Sequence, residues 1–307
     1  MENFLVVAKQ VFILFALMMI GFICNKKQIL TREANKHISN LVLLLAVPSV
    51  IIQSFQREYS STMMRGLLLS LGISTALHLA MIVVAHLLVH DKDKGRERIL
   101  RFAVVFSNAG FMALPLQSAL LGENGVFYGS AFVVMFNIFA WSYGVVEISG
   151  DRSYITPKKM LINPGTVGVA IGMLMFLLPF SLPEILTKPV DYIAALNVPL
   201  PMILVGYYIG DTDILKALRD KNSYICLFLR LIAIPVATLL ILRLFPLERT
   251  MYLACVTAIS APVGATISMF AEKFNQDVSL SVNLVAVSTL LSILTMPIVV
   301  GIAGLLA

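Results

Sequence analysis

Long apolar stretches separated by short polar connections run along the whole chain. We number them segments 1 to 10; they cover about residues 4–24, 36–55, 63–89, 99–121, 125–148, 162–180, 190–210, 222–243, 250–271 and 278–305. A helix that crosses a bilayer needs roughly 20 mostly apolar residues, and each segment has about that length. The pattern therefore predicts an all-α integral membrane protein with ten transmembrane helices, in contact with the lipid bilayer.

Segment 4 is interrupted in its middle. It has no charged residue from Phe102 to Gly122, but the run Ser107-Asn108-Ala109-Gly110 consists of poor helix formers and Pro115 follows five residues later. Proline removes a backbone donor and clashes with the carbonyl group four residues earlier. We therefore expect the helix to break between about Ser107 and Pro115.

Segment 9 repeats this arrangement, with Ser260-Ala261-Pro262-Val263-Gly264 in its middle. An unpaired backbone group in hydrocarbon costs several kcal/mol, so a break survives only where protein or a water-filled cavity surrounds it. Matching breaks in the two halves of a chain are typical of the discontinuous helices of secondary transporters.

The composition agrees with a membrane protein. The mean hydropathy is +0.90, and 59% of the 307 residues are hydrophobic while 13% are charged, against about 25% charged in soluble domains. The net charge of +6 is spread over short connections, which argues against nucleic-acid binding. Cys24, Cys226 and Cys255 are odd in number and far apart, so we interpret them as buried apolar residues. We predict no metal site and no cofactor.

The charges of the connections predict the orientation. The odd-numbered connections carry 16 Lys and Arg residues and the even-numbered ones 5. The positive-inside rule then puts the odd connections in the cytoplasm and both termini outside, in a plasma (inner) membrane. The N-terminus has no basic region and no cleavage site, so we expect segment 1 to be retained.

Ten segments with a cytoplasmic middle connection divide into two inverted five-helix repeats. Residues 1–149 would form the first repeat, 150–161 the connection and 162–307 the second repeat. Pro48 in segment 2 matches Pro199 and Pro201 in segment 7, and the two breaks match each other; Pro235 and Pro297 have no counterparts.

The order and spacing of five motifs resemble those of the auxin efflux carrier family, which includes plant PIN carriers and bacterial malate- or malonate-type permeases. The motifs lie in segments 2, 4, 6, 7 and 9 and read NLVLLLAVPSVIIQSF, FSNAGFMALPLQSALLG, INPGTVGVAIG, VPLPMILVGYYIGD and SAPVGATISMFAEKFNQD. The resemblance covers essentially the whole chain.

The resemblance implies a ten-helix fold in which broken helices 4 and 9 cross at mid-membrane and an organic anion binds near the crossover. Segments 1, 2, 6 and 7 would form a scaffold, and segments 3–5 and 8–10 a moving transport domain. It also implies a homodimer through the scaffold. The long cytoplasmic loop of the plant members is absent here.

Two broken antiparallel helices would leave two half-helix N-termini inside the protein, where free N–H groups and helix dipoles favour an anion. We expect Pro115 and Pro262 to open the second halves. The substrate-binding candidates are Asn108, Ala109, Gly110, Pro115, Asn137, Ser260, Ala261, Pro262, Val263, Gly264 and Asn283. Asn108 either orients a carboxylate or only caps broken backbone; Asn137 and Asn283 either line the cavity or hold helices together.

Ionisable groups inside the segments are few. Arg230 in segment 8 either snorkels to the cytoplasmic interface or contacts substrate. His78 in segment 3 is the candidate for proton coupling, with a neutral packing histidine as the alternative. No Asp or Glu lies near the middle of a segment, which weakens a sodium-coupled hypothesis, so the coupling ion (proton or sodium) stays open.

The sequence contains no H-E-x-x-H or G-x-S-x-G motif and no paired intramembrane aspartates, so we do not expect an enzyme. The prediction is a secondary transporter of a small organic carboxylate anion that works by alternating access. The alternative is a transport-dead membrane receptor for a similar anion.

Overall fold

The computed structural model describes residues 2–155, 158, 162–178, 183–210 and 221–307. Within these residues every regular element is helical, and the one β-bridge is isolated. The helices are Glu2–Lys26, Arg32–Leu41 continuing through Val42–Ala46 and Val47–Phe55, Ser61–Leu88, Lys94–Val105, Ala109–Ala113 continuing through Leu114–Phe139, Ala140–Gly144 and Val145–Ser149, the short Arg152–Tyr154, Pro164–Leu177, Glu184–Ala195, Pro199–Gly210, Lys221–Phe228 continuing through Leu229–Ala233 and Ile234–Leu242, Arg249–Ser260, Thr266–Lys273 and Val278–Leu306.

The all-helical class is confirmed for these residues, and helix occurs in each of the ten predicted segments. In the described part of the chain, six stretches are long and apolar enough to cross a membrane: Arg32–Phe55, Ser61–Leu88, Ala109–Ser149, Glu184–Gly210, Ser223–Leu242 and Val278–Leu306. The chain is therefore consistent with a multi-pass membrane protein. Ten membrane crossings and the inverted repeat stay predictions.

The stretch Ala109–Ser149 is a pair of helical arms. Gly122 has φ of +63°, a left-handed conformation that glycine adopts without strain. A Cβ atom built on Gly129 would lie 1.9 Å from Oε1 of Gln117, whereas 12 residues of straight helix span about 18 Å. The chain therefore reverses at Gly122, and the two arms correspond to the second half of segment 4 and to segment 5.

Three of the helices contain a π-helical turn directly before a proline. The turns Val42–Ala46, Ala109–Ala113 and Leu229–Ala233 precede Pro48, Pro115 and Pro235, each two residues after the final alanine of its turn. A proline clashes with the carbonyl group four residues earlier, and the wider π turn gives that carbonyl room. These helices therefore pass through proline without ending.

A cluster of charged side chains fixes the start of Lys94–Val105. The buried Glu97 carboxylate accepts a hydrogen bond from Lys94 Nζ at 2.6 Å and pairs with Arg101. Arg101 also lies 3.7 Å from Glu147, which lies 3.4 Å from His86. The Lys94 hydrogen bond, reinforced by the Arg101 charge, lowers the pKa of Glu97 below its usual value. The cluster joins segments 3, 4 and 5 at one end.

Glycines allow the first helix and Pro199–Gly210 to pack backbone against backbone. A Cβ atom on Gly21 would lie 2.0 Å from the Ile203 carbonyl oxygen, and one on Gly206 would lie 1.9 Å from the Met18 carbonyl oxygen. Small residues at such contacts let membrane helices approach closely. The contact therefore tolerates no side chain at either glycine.

Replacing Gly21 or Gly206 with alanine should destabilise the protein, because the added methyl group meets backbone atoms that cannot rotate away. We expect each substitution to lower the free energy of unfolding by about 1–3 kcal/mol. Gly72→Ala is the matched control, because nothing lies within 4 Å of a Cβ atom there. Thermal unfolding in detergent measures the effect; equal midpoints for the three variants would contradict the close packing.

Candidate functional site

The non-helical breaks in segments 4 and 9 lie side by side and hydrogen-bond to each other. Ser107 and Val263 form an antiparallel bridge. The Asn108 amide donates to the Pro262 carbonyl at 2.7 Å, and the Gly264 amide donates to the Phe106 carbonyl at 2.9 Å. Each break thus supplies partners for backbone groups that the other has freed from helix.

The breaks differ in their bounds from the prediction. In segment 4 the helix ends at Val105 and resumes as a π turn at Ala109, so Pro115 lies six residues inside the second half. In segment 9, Pro262 lies within the break and helix resumes at Thr266. The expectation that the prolines open the second halves is therefore wrong. The π turn accommodates Pro115, and Pro262 instead accepts the bridging hydrogen bond.

Arg230 lies directly behind the two breaks with 0% of its surface exposed. Nη1 donates to the Val104 carbonyl at 3.0 Å, Nε donates to the Ala261 carbonyl at 3.2 Å, and Nη2 donates to the Ile259 carbonyl. Neither earlier interpretation holds, because the side chain neither snorkels to an interface nor lines the cavity described below. It binds the C-terminal carbonyl groups of both first halves.

A cavity of about 320 Å³ borders the breaks. It extends to the first residues of segments 2 and 6 and to the last residues of segments 7 and 9, which is the end where the positively charged odd connections lie. Its described walls are mainly apolar and carry no charged side chain; they are Ser39, Leu43, Val47, Ser107, Asn108, Ala109, Gly110, Phe111, Val133, Phe136, Asn137, Ala140, Trp141, Ile162, Asn163, Pro164, Gly165, Tyr208, Gly264, Ala265, Thr266, Met269 and Phe270.

Hydrogen-bond donors concentrate where the cavity meets the second half of segment 4. Asn108 is 4% exposed, and its buried Nδ2 atom has no partner among the described residues. The Gly110 and Phe111 amides stand in the first turn of a helix, where an N–H group has no intrahelical acceptor. A Cβ atom on Gly110 would meet nothing within 4 Å. The first turn therefore borders space in which a small anion fits.

Five of the substrate-binding candidates line the cavity, namely Asn108, Ala109, Gly110, Asn137 and Gly264. The other six do not, namely Pro115, Ser260, Ala261, Pro262, Val263 and Asn283. Asn108 makes no side-chain cap hydrogen bond, so the described contacts give no support to a purely capping role. Asn137 donates to the Val133 carbonyl of its own helix at 2.8 Å.

Most of the cavity wall has no recognisable signal in the sequence. Phe111, Phe136, Trp141 and Phe270 are apolar residues in apolar segments, and no local pattern distinguishes them from lipid-facing ones. Asn163 has a recognisable signal, because an Asn directly before a proline at the start of an apolar segment is typical of a helix N-terminus. In the structure its side chain accepts the Thr166 amide in a capping box at the start of segment 6.

His78 is fully buried and stands apart from the cavity. Its Nδ1 atom lies 2.7 Å from the Ser74 carbonyl oxygen, and its ring stacks on Phe139 with centroids 5.1 Å apart. Met81, one turn further along, accepts a hydrogen bond from Arg230. A protonated imidazole would therefore lie close to a second buried cation, and these surroundings favour the neutral ring. Proton uptake by His78 stays a hypothesis.

Aromatic side chains fill the opposite end of the molecule. Phe55, at the end of segment 2, lies 4.5 Å from Phe127 at the start of segment 5, measured between ring centroids. Phe176 in segment 6 packs on both rings. Arg57 lies over Phe127 and donates to Asn124. Segments 2, 5 and 6 are thus in contact here through their aromatic rings.

The sequence comparisons identify relatives that are named as transporters. A family model described as "membrane transport protein" matches residues 6–300. An uncharacterized transporter of Methanothermobacter thermautotrophicus is 23% identical over 300 residues, which cover 92% of this chain and 93% of the relative. An uncharacterized transporter of Methanocaldococcus jannaschii is 24% identical over 206 residues, covering 64% of this chain and 67% of the relative.

A plant protein is also similar. Auxin efflux carrier component 8 of Arabidopsis thaliana is 23% identical over 122 residues, which cover 38% of this chain and 33% of the plant protein. The resemblance to the auxin efflux carrier family is confirmed, and the relatives are transporters rather than enzymes.

Gly110→Val should abolish anion binding while leaving the fold intact, because the new side chain enters open space at the first helical turn. Binding is measured by thermal shift with the carboxylate that stabilises the parent most in a screen. The control is Gly72→Val, at a glycine that also borders open space but lies away from the cavity. If Gly110→Val binds the anion as the parent does, the anion does not bind at this first helical turn.

Proposed function

Since this chain belongs to the membrane transport protein family, we propose that it is a secondary transporter that carries a small organic anion across the plasma membrane by alternating access. The observation that carries the proposal is the buried, unpartnered amide nitrogen of Asn108 at the cavity wall. It stands beside a helix N-terminus, so donors and dipole converge on one position.

The electrostatics of this position favour a negative charge. The N-terminus of a helix carries roughly half a positive charge, and its first N–H groups lack intrahelical acceptors. The helix that begins at Thr266 presents its own N-terminus to the same cavity. Two such ends together supply about one positive charge, with no basic side chain among the described wall residues.

The cavity walls favour a monocarboxylate with an apolar body. A single carboxylate matches the charge of two helix N-termini, and the remaining ligand atoms would lie against Phe111, Phe136 and Phe270. A second carboxylate would be buried among these rings without a counter-charge, which is costly. Monocarboxylates are therefore expected to bind more tightly than dicarboxylates of the same length.

Alternating access gives a role to the asymmetry between the two ends of the molecule. The cavity reaches the end that the charge distribution assigns to the cytoplasm, and the Phe55–Phe127–Phe176 contact occupies the other. We propose that this is the cytoplasm-open state, that segments 1, 2, 6 and 7 are the scaffold, and that segments 3–5 and 8–10 move. Ten crossings in two inverted repeats, crossing helices 4 and 9, extracytoplasmic termini and a homodimer belong to the same proposal.

A screen of carboxylates by thermal shift on the purified protein tests the function. Monocarboxylates with apolar bodies should stabilise the protein more than dicarboxylates of equal length. Asn108→Ala should weaken the affinity by about ten- to a hundredfold, because a hydrogen bond to a charged group contributes about 1.5–3 kcal/mol. Asn283→Ala is the matched control and should bind as the parent does. If no carboxylate shifts the unfolding midpoint, the anion proposal fails.

A disulfide between segments 2 and 5 tests alternating access. In a background without the three native cysteines, oxidised Phe55→Cys/Phe127→Cys should lose uptake of the screened anion into vesicles, and reduction should restore it. The control pair Phe55→Cys/Phe176→Cys joins two scaffold segments whose rings also touch, so its oxidation should leave uptake unchanged. Full uptake by the oxidised first pair would show that this contact never opens.

A further inference from the structure

Arg230 is a buried cation that no carboxylate neutralises among the residues that the structure describes. Its described partners are three carbonyl oxygens and the Met81 sulfur atom. An isolated charge inside a protein is strongly unfavourable unless fixed partners replace its hydration. Some feature of the surrounding backbone must therefore supply negative potential.

The carbonyl groups supply it, because they are the C-terminal ends of two helices. Val104 is the penultimate residue of Lys94–Val105, and Ile259 is the penultimate residue of Arg249–Ser260. Each C-terminus carries roughly half a negative charge, so the two ends together offset about one unit of positive charge. Arg230 thus has a full electrostatic partner in the paired breaks.

In secondary transporters, the carbonyl groups of unwound backbone and half-helix C-termini are the groups that coordinate a coupling sodium ion. Here the guanidinium group already holds them. We propose that Arg230 is a resident cation which occupies the position of a coupling metal ion, so that the paired breaks need and bind no sodium.

The planar guanidinium group suits this position better than a smaller cation does. Its fork of donors reaches the carbonyl groups of two separate helices at once. Arg230 itself lies in a third helix, in segment 8. Arg230 therefore positions both first halves, and through their pairing it positions the Asn108 end of the cavity. None of its described hydrogen-bond partners is a wall residue of the cavity.

A resident cation at the breaks also bears on coupling, a step that rests on the proposed transport function. With one fixed positive charge behind the breaks and no bound sodium, the anion would move without sodium cotransport. Uptake should be unchanged when sodium is replaced by choline. The charge role of Arg230 itself is measurable without any transported anion, so a failed carboxylate screen would leave it testable.

The charge role of Arg230 is tested by thermal unfolding of the purified full chain. The midpoint is measured in sodium chloride and in choline chloride at equal ionic strength. The parent should have the same midpoint in both salts. In choline chloride, Arg230→Ala should unfold at a temperature several degrees below that of the parent. Millimolar guanidinium should restore part of this loss by occupying the space that the missing side chain leaves between the carbonyl groups. A purely steric role of the side chain would not respond to an added cation.

The exposed Arg243, at the end of the same segment, provides the control. Arg243→Ala should show no loss and no response to guanidinium. Should Arg230→Ala fail to fold in any salt, Arg230→Lys decides the question: it keeps the charge and should unfold at one midpoint in both salts. Stabilisation of the parent or of Arg230→Lys by sodium would overturn the proposal, as would an Arg230→Ala midpoint that ignores guanidinium.

Discussion

The rest of the structure depends on satisfying the backbone groups that two interrupted helices release inside an apolar interior. Three devices do so: the Asn108–Pro262 and Gly264–Phe106 hydrogen bonds, the Ser288 hydroxyl oxygen that accepts the Val263 amide at 3.1 Å, and Arg230 on the carbonyl ends. Carbonyl groups and amides are treated differently. The carbonyl ends are closed by protein, while first-turn amides border the cavity. The backbone of the breaks therefore presents donors rather than acceptors to the cavity before any side chain contributes.

The sequence predicted the positions of the breaks because the cause is local. Four poor helix formers in a row, or a proline between small residues, disrupt helix in any surroundings. It misjudged Pro115, because a π turn upstream lets the helix continue through the proline, and local sequence does not distinguish this outcome from the end of a helix. Local sequence therefore locates the breaks but does not determine their bounds.

Arg230 and the cavity wall could not be derived from local pattern. Arg230 donates hydrogen bonds to Val104 and Ala261, which are 126 and 31 residues away in the chain. The sequence near position 230 does not indicate these partners. Likewise Trp141, Asn163 and Phe270 meet only when segments 5, 6 and 9 are packed. Asn108 was predictable because a polar residue in an apolar break is conspicuous; an aromatic residue in an apolar segment is not.

The bridge between Ser107 and Val263 can form only after segment 9 has been synthesised. The two residues are separated by 156 positions, and a ribosome adds roughly 5–20 residues per second. Segment 4 must therefore wait several seconds to about half a minute, with the backbone groups of its break unsatisfied, before its partner is made. During that interval the nascent chain has to keep the break in water, at the membrane surface or in the insertion machinery. The first five segments alone therefore leave the break in segment 4 without the hydrogen-bond partners that segment 9 provides.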